Sequence, residues 1–120
     1  MLFVCYPNCS TCKKAQKWLE NAGLEFTVRN IKTDPPTAEE LADWQAKSGL
    51  PMKKFFNTSG QAYRALGLKE RLPGMSDEEM LALLAADGML VKRPILVSGG
   101  TVLVGFKESE WADGVCSGKN

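Results

Sequence analysis

Residues 4–19 read V-C-Y-P-N-C-S-T-C-K-K-A-Q-K-W-L, and this stretch decides the fold of the chain. The apolar run Leu2 to Tyr6 is short and is ended by Pro7-Asn8, which is typical of a buried strand followed by a turn. Apolar residues then recur at the spacing of one helix face, at Ala15, Trp18, Leu19 and Ala22. We therefore expect a strand that leads directly into a helix over about Ser10 to Ala22.

Two cysteines, Cys9 and Cys12, lie three residues apart at this junction. Cys9 falls near the N-cap, where unpaired amide donors and the positive end of the helix dipole favour a thiolate. The adjacent Lys13 and Lys14 are expected to lower the pKa of Cys9 further. Cys12 falls on the same helix face as Ala15, so it should be less exposed, which suits a thiol that attacks only after a mixed disulfide has formed. The spacing predicts a redox pair in which Cys9 attacks and Cys12 resolves.

The other two cysteines leave different interpretations of the pair open. A zinc site needs four ligands, and only Cys5 and Cys116 could complete one, because the chain has no histidine. We favour Cys5 as a buried packing residue of the first strand and Cys116 as an exposed thiol in the tail. Cys9 and Cys12 could also be inert packing residues, although packing alone does not explain a pair at a helix start beside two lysines. We expect no metal in the site.

Length and composition are those of an ordinary globular domain. The 120 residues are 44% hydrophobic and 24% charged, and the formal net charge is +1, so charge alone indicates no nucleic-acid partner. The N-terminal apolar run lacks a basic leader and is too short for a signal peptide or a membrane span, which favours a cytoplasmic protein with reduced cysteines. The absence of histidine excludes Cys–His pairs and Ser–His triads. We expect one domain over residues 1–120 that acts as a monomer, with neither a membrane nor a nucleic-acid partner.

Strand and helix patterns alternate along the rest of the chain. Apolar and polar residues alternate from Leu24 to Val28, which predicts a second strand, parallel to the first. A helical insertion follows over about residues 35–90. Two of its helices are expected to begin at capping boxes, formed by Thr37 with Glu40 and by Ser76 with Glu79.

The C-terminal third predicts a hairpin and a last helix. Two β-branched runs, Pro94 to Val97 and Thr101 to Val104, are separated by Ser98-Gly99-Gly100, which is a strong hairpin pattern. A short helix near Glu108 to Asp113 should precede a flexible tail over residues 114–120. The resulting order is β-α-β, helical insertion, β-β-α, which indicates an α/β protein of thioredoxin-like fold with a mixed four-stranded sheet. The alternative is another small α/β sandwich with a coincidental C-x-x-C.

A second group of candidate residues, Lys92-Arg93-Pro94, opens the third predicted strand. In a thioredoxin-like fold, the residue that opens this strand is commonly a cis-proline that faces the cysteine motif. An arginine just before it would direct its guanidinium at the thiol, where it could hold an oxyanion or stabilise a thiolate. The alternative is an exposed basic pair that closes a loop.

Three blocks of sequence fall in a recognisable order and spacing. They are C-Y-P-N-C-S-T-C-K-K-A from Cys5, F-N-T-S-G-Q-A-Y-R-A-L-G-L from Phe56, and K-R-P-I-L-V from Lys92, the last followed by V-G-F from Val104. Together they resemble the arsenate reductase ArsC and Spx family, and the resemblance extends over nearly the whole chain. It implies a thioredoxin-like fold with a helical insertion between the second and third strands.

The resemblance also implies roles for individual residues. Cys9 corresponds to the nucleophilic cysteine of the family and Arg93 to the arginine before the proline. In the arsenate reductases two further arginines help to hold the oxyanion, and Asn57 and Phe106 stand at those positions here. Because both residues are uncharged, most of the bidentate oxyanion binding is lost, and arsenate is disfavoured as the substrate.

We therefore expect a thiol–disulfide oxidoreductase of the arsenate-reductase type. Its catalytic residues would be Cys9, Cys12 and Arg93, and its substrate would contact Ser10, Thr11, Lys13, Asn57 and Pro94. No bound cofactor is expected, and glutathione, with or without glutaredoxin, or thioredoxin would act as external reductant. The alternative is an Spx-like redox sensor that binds the α-subunit of RNA polymerase, because Spx-type regulators carry a C-x-x-C pair.

Overall fold

A four-stranded sheet with helices on both faces forms the framework of the protein, which a computed structural model describes over residues 1–116. The strands are β1 (Leu2–Cys5), β2 (Thr27–Asn30), β3 (Ile95–Ser98) and β4 (Thr101–Val104). They lie in the order β2-β1-β3-β4, in which β2 is parallel to β1 whereas β3 is antiparallel to both of its neighbours. The predicted mixed sheet and the predicted order of elements are therefore confirmed.

Helices fill the two connections around the sheet and follow its last strand. They are α1 (Ser10–Asn21), α2 (Ala38–Ser48), α3 (Gln61–Ala65), α4 (Leu68–Arg71), α5 (Asp77–Ala86) and α6 (Glu108–Trp111), with 3₁₀ turns at Met52–Phe55, Leu72–Gly74 and Gly88–Leu90. Both predicted capping boxes are present. The Glu40 N–H donates to Thr37 Oγ1 at 3.1 Å and the Thr37 N–H donates back to Glu40 Oε1 at 3.0 Å, and Ser76 with Glu79 repeats the arrangement.

Alternation along β1 gives the sheet two hydrophobic cores. Phe3 points to the face covered by α1 and α6, where it packs with Leu19 and Trp111. Val4 points to the opposite face, where the helical insertion supplies Leu41, Phe55 and Leu84. The end of β1 that leads into α1 is thus held between two packed layers. No helix in residues 1–116 is long and apolar enough to cross a bilayer.

The second strand begins at Thr27, later than the alternation from Leu24 predicts. Pairing requires a partner, and β1 offers one only from Leu2 onward, which lies opposite Thr27. Leu24 is instead buried in the core beneath α1. Val28 is 50% exposed because β2 is an edge strand.

The predicted loose tail is wrong at its start. Ala112–Cys116 continue from α6 as a π-helical turn, and Val115 is buried in the core that contains Phe3 and Trp111. The start of the tail is ordered because burying the apolar side chain of Val115 in the core stabilises this segment. The rest of the predicted tail, residues 117–120, and the side chain of Cys116 lie outside the described residues.

Candidate functional site

The junction between β1 and α1 holds the cysteine pair. Cys9 is the N-cap residue of α1, with an extended backbone (φ −89°, ψ 121°) and partial exposure, whereas Cys12 lies within the first turn and is 2% exposed. The Cys9 N–H closes the turn by donating to the Tyr6 carbonyl oxygen at 3.0 Å, and the Tyr6 N–H donates to Cys12 Sγ at 3.4 Å. Both sulfurs are free thiols. One thiol of the pair is therefore accessible and the other is enclosed.

The pKa of the Cys9 thiol lies below its ordinary value of 9.0. Partial burial raises this pKa, but it is outweighed by the nearby amide N–H and thiol of Cys12 and by the nearby, positively charged Arg93 guanidinium. The Cys9 side chain does not accept a capping hydrogen bond from the backbone of α1, so these groups lower its pKa from slightly longer range. Lys13 and Lys14, which we expected to contribute, are exposed and do not account for the shift. The cation that lowers the pKa of Cys9 is therefore Arg93, which is distant from it in sequence.

Burial raises the pKa of the Cys12 thiol to about 12. The Tyr6 N–H opposes this shift, and the neighbouring sulfurs of Cys9 and Cys5 add to it. Burial also raises the pKa of Cys5, which is 3% exposed, as expected of a packing residue. Cys12 consequently keeps its proton under conditions in which Cys9 is a thiolate.

The zinc alternative finds no support in the described part of the chain. Among residues 1–115, whose side chains the structure describes, there is no group of three or more cysteine and carboxylate side chains that could hold a metal ion, and the side chain of Cys116 lies outside this range. Cys5 and Cys12 share one core with apolar neighbours, and a closed zinc site would need further ligands there.

Arg93 faces the cysteine motif from the start of β3. The Arg93–Pro94 peptide bond is cis, and Pro94 is buried. The Arg93 guanidinium carbon lies 5.1 Å from the centroid of the Tyr6 ring. Its Nε and Nη1 atoms are buried and have no hydrogen-bond partner among the described residues. The alternative of an exposed basic pair therefore holds only for Lys92.

Tyr6 is a site residue that the sequence interpretation missed. Its backbone contacts both halves of the cysteine motif, and its ring lies beside the Arg93 guanidinium. The available signal was its position, since it ends the apolar run directly before the turn into α1. Aromatic residues at strand ends are common, so the position alone does not predict this role.

A cavity of about 440 Å³ lies beside Arg93. Its lining includes Thr11, Asn57, Arg93 and Phe106. The two positions that the resemblance assigns to oxyanion-binding arginines therefore do lie together with Arg93, but they carry an amide and an aromatic ring. Neither Cys9 nor Cys12 is in the lining, whereas Thr11, which lies between them in the chain, is.

Three of the predicted substrate-contacting residues do not line this cavity. Ser10 and Lys13 are exposed on α1, next to Cys9 and Cys12 in the chain, and Pro94 is buried. Of the predicted substrate contacts, Thr11 and Asn57 line the cavity, together with Arg93, which was predicted to be catalytic.

The sequence did not predict that lysines would gather at the cavity. Its lining includes Lys54, Lys92 and Lys107. They come from the helical insertion, the segment before β3 and the segment after β4. Nothing in their spacing predicts that they converge, because the convergence depends on how the insertion packs against the strands. Lys107 forms an ion pair with Glu110, with Nζ 3.6 Å from Oε2.

Backbone hydrogen bonds fix the walls of the cavity to the segment that carries Arg93. The Asn57 N–H donates to the Leu90 carbonyl oxygen and the Lys92 N–H donates to the Phe55 carbonyl oxygen, each at 2.7 Å. The part of the insertion around Phe55 and Asn57 is therefore joined to the segment that leads into Arg93. The site is built on paired backbone rather than on a free loop.

Comparison with known proteins identifies relatives along almost the full sequence. The sequence model of the ArsC family matches residues 5–113. The chain is 53% identical to the uncharacterized protein YusI of Bacillus subtilis (strain 168), over 94% of this chain and 96% of YusI. It is 29% identical to the global transcriptional regulator Spx of Streptococcus pneumoniae (strain ATCC BAA-255 / R6), over 87% of this chain and 77% of Spx.

Solved structures agree with the sequence comparison. An ArsC family related protein from Bacteroides fragilis superimposes with a TM-score of 0.92 at 56% identity and covers 93% of this chain and 94% of its own. A possible arsenate reductase from Streptococcus mutans UA159 superimposes with a TM-score of 0.82 at 48% identity, over 88% of this chain and 90% of its own. The predicted fold is confirmed by these matches.

Proposed function

This chain belongs to the ArsC family, and from that premise we propose that it is a thiol–disulfide oxidoreductase in which Cys9 attacks the substrate and Cys12 resolves the intermediate. The observation that carries the proposal is the asymmetry of the pair. Attack on a disulfide requires a thiolate that the substrate can reach, and Cys9 is partly exposed with a lowered pKa. Resolution of the mixed disulfide requires a second thiol that is shielded from solvent, and Cys12 is buried and protonated.

The reaction is a pair of thiol–disulfide exchanges. The Cys9 thiolate attacks one sulfur of the oxidised substrate, a Cys9–substrate disulfide forms, and the other substrate sulfur leaves as a thiolate. Cys12 then attacks the Cys9 sulfur and its proton passes to the departing substrate sulfur, so the second half of the substrate leaves as a thiol and a Cys9–Cys12 disulfide remains. The substrate has gained two electrons and the enzyme has lost two. Glutathione, with or without glutaredoxin, or thioredoxin would return them as the external reductant.

Arg93 has two roles in this proposal. Its guanidinium lowers the pKa of Cys9, and its buried Nε and Nη1 offer donors to an anionic group of the substrate. Thr11 and Asn57 lie in the same cavity and would contact that group, while Ser10 and Lys13 would flank the reacting sulfur.

Arsenate is disfavoured as the substrate. A tetrahedral oxyanion is best held by several guanidinium forks, and among the described residues that line the cavity Arg93 is the only arginine. Asn57 offers a neutral amide and Phe106 offers no hydrogen-bond donor from its side chain. Arsenate turnover should consequently be slow relative to disulfide turnover.

The proposal is tested by turnover with a low-molecular-weight disulfide and each reductant in turn. Cys9→Ser should abolish activity, because no thiolate remains to attack. Cys5→Ala is the matched control, since it removes a third thiol of the same region that has no role in the exchange. Loss of activity in Cys5→Ala together with retention in Cys9→Ser would overturn the assignment of the nucleophile.

A second candidate function is a redox sensor of the Spx type. The observation that favours it is the similarity to the global transcriptional regulator Spx along 87% of this chain. In that case oxidation of Cys9 and Cys12 would be stoichiometric, and the output would be binding to the α-subunit of RNA polymerase. Binding of the purified α-subunit that differs between the oxidised and reduced protein, without turnover of any disulfide, would favour the sensor over the enzyme.

A further inference from the structure

We propose that the aromatic ring of Tyr6 is a positioning group of the site: the Arg93 guanidinium lies over its face, and this contact keeps the arginine beside Cys9. The inference rests on the proposed function, because the step that benefits is the attack by Cys9. Tyr6 would touch neither the substrate nor the reacting sulfurs with its side chain and would act only through Arg93. The cysteine motif by itself gives Tyr6 no such role.

The register of the sheet brings Tyr6 and Arg93 opposite each other. Val4 of β1 pairs with Ile95 of β3 in the antiparallel ladder, and the next two steps beyond this pair lead to Tyr6 on one strand and to Arg93 on the other. Alternation directs Tyr6 to the same face as Val4, which is the face that the helical insertion covers. The 5.1 Å between the guanidinium carbon and the ring centroid is the cross-strand contact that results.

The Arg93 side chain has few other contacts that could fix its position. Its Nε and Nη1 atoms are buried and have no hydrogen-bond partner among the described residues. No carboxylate in that part of the chain forms an ion pair with it. A free arginine side chain occupies many rotamers, and the attraction of its charge to the ring face restricts them. Because a ring face accepts no in-plane hydrogen bond, the guanidinium is held while its donors stay available on the side of Cys9.

Tyr6 is itself fixed, as a positioning residue has to be. Its backbone N–H donates to Cys12 Sγ at 3.4 Å, and its carbonyl oxygen accepts from the Cys9 N–H at 3.0 Å. Its half-buried ring packs against the core between the sheet and the insertion. The hydroxyl group lies near the exposed Asn8, whose Nδ2 is 3.5 Å away. The ring face, and not the hydroxyl group, is therefore the part of Tyr6 that we assign to Arg93.

Removal of the ring should act on Cys9 through its electrostatic surroundings. The titratable groups that influence Cys9, or that Cys9 influences, are Cys5 of β1, Cys12 of α1 and Arg93 before β3. Arg93 is the one cation in this set, and a guanidinium that moves away from the sulfur favours the thiolate less. The hydrogen bonds from Tyr6 to the cysteine motif are made by its backbone. Substitution of its side chain therefore tests the ring while those bonds stay.

A double-variant cycle tests whether the ring acts through Arg93. Native protein, Tyr6→Leu, Arg93→Met and the double variant are alkylated with iodoacetamide over a range of pH, and mass spectrometry follows the Cys9 peptide. Tyr6→Leu should slow alkylation at neutral pH by about two- to fivefold, the factor that a cation–π contact of ordinary strength provides, and move the profile to higher pH. In the Arg93→Met background the same substitution should have no effect. An equal shift in both backgrounds, or no shift in either, would overturn the proposal.

Two further variants separate the ring face from the rest of the side chain. Tyr6→Phe removes the hydroxyl group and keeps the ring, so its alkylation profile should be that of the native protein. Tyr63→Leu is the matched control, because it removes a ring from the same hydrophobic core, where Tyr63 packs against Phe56 with centroids 6.3 Å apart. It should leave the Cys9 profile unchanged. A Tyr6→Phe profile like that of Tyr6→Leu would overturn the assignment to the ring face.

The contact can also be measured without any variant, which covers the case in which Tyr6→Leu fails to fold. In the NMR spectrum of the native protein, the side-chain protons of Arg93 should show nuclear Overhauser effects to the Tyr6 ring and upfield ring-current shifts. Their absence would overturn the proposal.

Turnover of the low-molecular-weight disulfide separates this inference from the proposed function. Tyr6→Leu should lower kcat/KM severalfold at neutral pH, and the deficit should disappear at a pH above the pKa of Cys9 in both proteins, where Cys9 is a thiolate with or without the ring. A deficit of the same size at every pH would overturn the positioning role and leave the oxidoreductase proposal in place. The expected alkylation cycle without turnover by the native protein would support the positioning role and refute the enzyme.

Discussion

Replacing Arg93 by methionine should stabilise the fold and weaken the Cys9 thiolate at the same time. The arginine carries two buried nitrogen donors that no described group accepts, and such donors cost about 1–3 kcal/mol. Its contact with the Tyr6 ring, at 5.1 Å, offsets about 0.5–1 kcal/mol of that cost. Methionine has a similar length and no polar atom to satisfy, so the free energy of unfolding should rise by about 1 kcal/mol.

The assay needs to separate packing from the charge of the thiolate. Urea unfolding is therefore compared between Cys9→Ser and the double variant Cys9→Ser/Arg93→Met, in a buffer without multivalent anions. Arg93→Met alone is used to titrate Cys9 through the ultraviolet absorbance of its thiolate, and the pKa should move upward because a cation has been removed. Lys69→Met serves as a surface control. A loss of stability of about 1 kcal/mol or more in the double variant, or an unchanged Cys9 pKa, would refute the reasoning.

Three further predictions concern the resolving thiol, the acid stability and the packing of the insertion. With its pKa raised to about 12, Cys12 should be alkylated by iodoacetamide at least about a hundredfold more slowly than an ordinary thiol at mildly alkaline pH, and mass spectrometry showing equal rates for Cys9 and Cys12 would contradict this. The carboxylate of Glu40 accepts from Nη1 and Nη2 of Arg29, which lowers its pKa from 4.5 to about 2, so its contribution is complete above pH 4.5 and is lost as the pH falls toward 2. Because the Glu40 side chain is 34% exposed, Glu40→Gln should cost about 1–2 kcal/mol at neutral pH and nothing near pH 2, and a pH-independent difference would be evidence against the ion pair. A Cβ at Gly88 would lie 1.9 Å from the Ile31 carbonyl oxygen, so Gly88→Ala should cost about 2–3 kcal/mol in urea unfolding, and a neutral effect would show that these segments can separate freely.

The sequence was most informative where one element carried its own pattern. The strand-to-helix junction at Cys9, the capping box at Thr37 and the hairpin at Gly99-Gly100 depend on neighbours within a few residues, and each is present in the structure. The asymmetry between Cys9 and Cys12 could be predicted for the same reason, since position within the first helical turn decides which sulfur is enclosed.

Sequence reasoning failed where the outcome depends on residues distant in the chain. The alternation from Leu24 is genuine, but the start of β2 is set by the length of β1, which the pattern does not contain. Lys13 was expected to lower the pKa of Cys9 because it is close in sequence, and it does not account for the shift. The contribution of Arg93 was expected only once the thioredoxin-like fold was assumed, because the sheet order β2-β1-β3 is what places it nearby. The lysines of the cavity converge only through the packing of the insertion, and Val115 is ordered by a core that no tail composition predicts.

The central claim, that Cys9 attacks and Cys12 resolves, is tested most directly by trapping the intermediate. Cys12→Ser and Cys9→Ser are each reduced, exposed to the low-molecular-weight disulfide used in the turnover test, and analysed by mass spectrometry of the cysteine-containing peptides. We predict that Cys12→Ser retains one substrate-derived thiol on Cys9 and that Cys9→Ser retains none, because Cys12 is buried and protonated. A stable adduct on Cys12 in Cys9→Ser, with Cys9 unmodified in Cys12→Ser, would contradict the account.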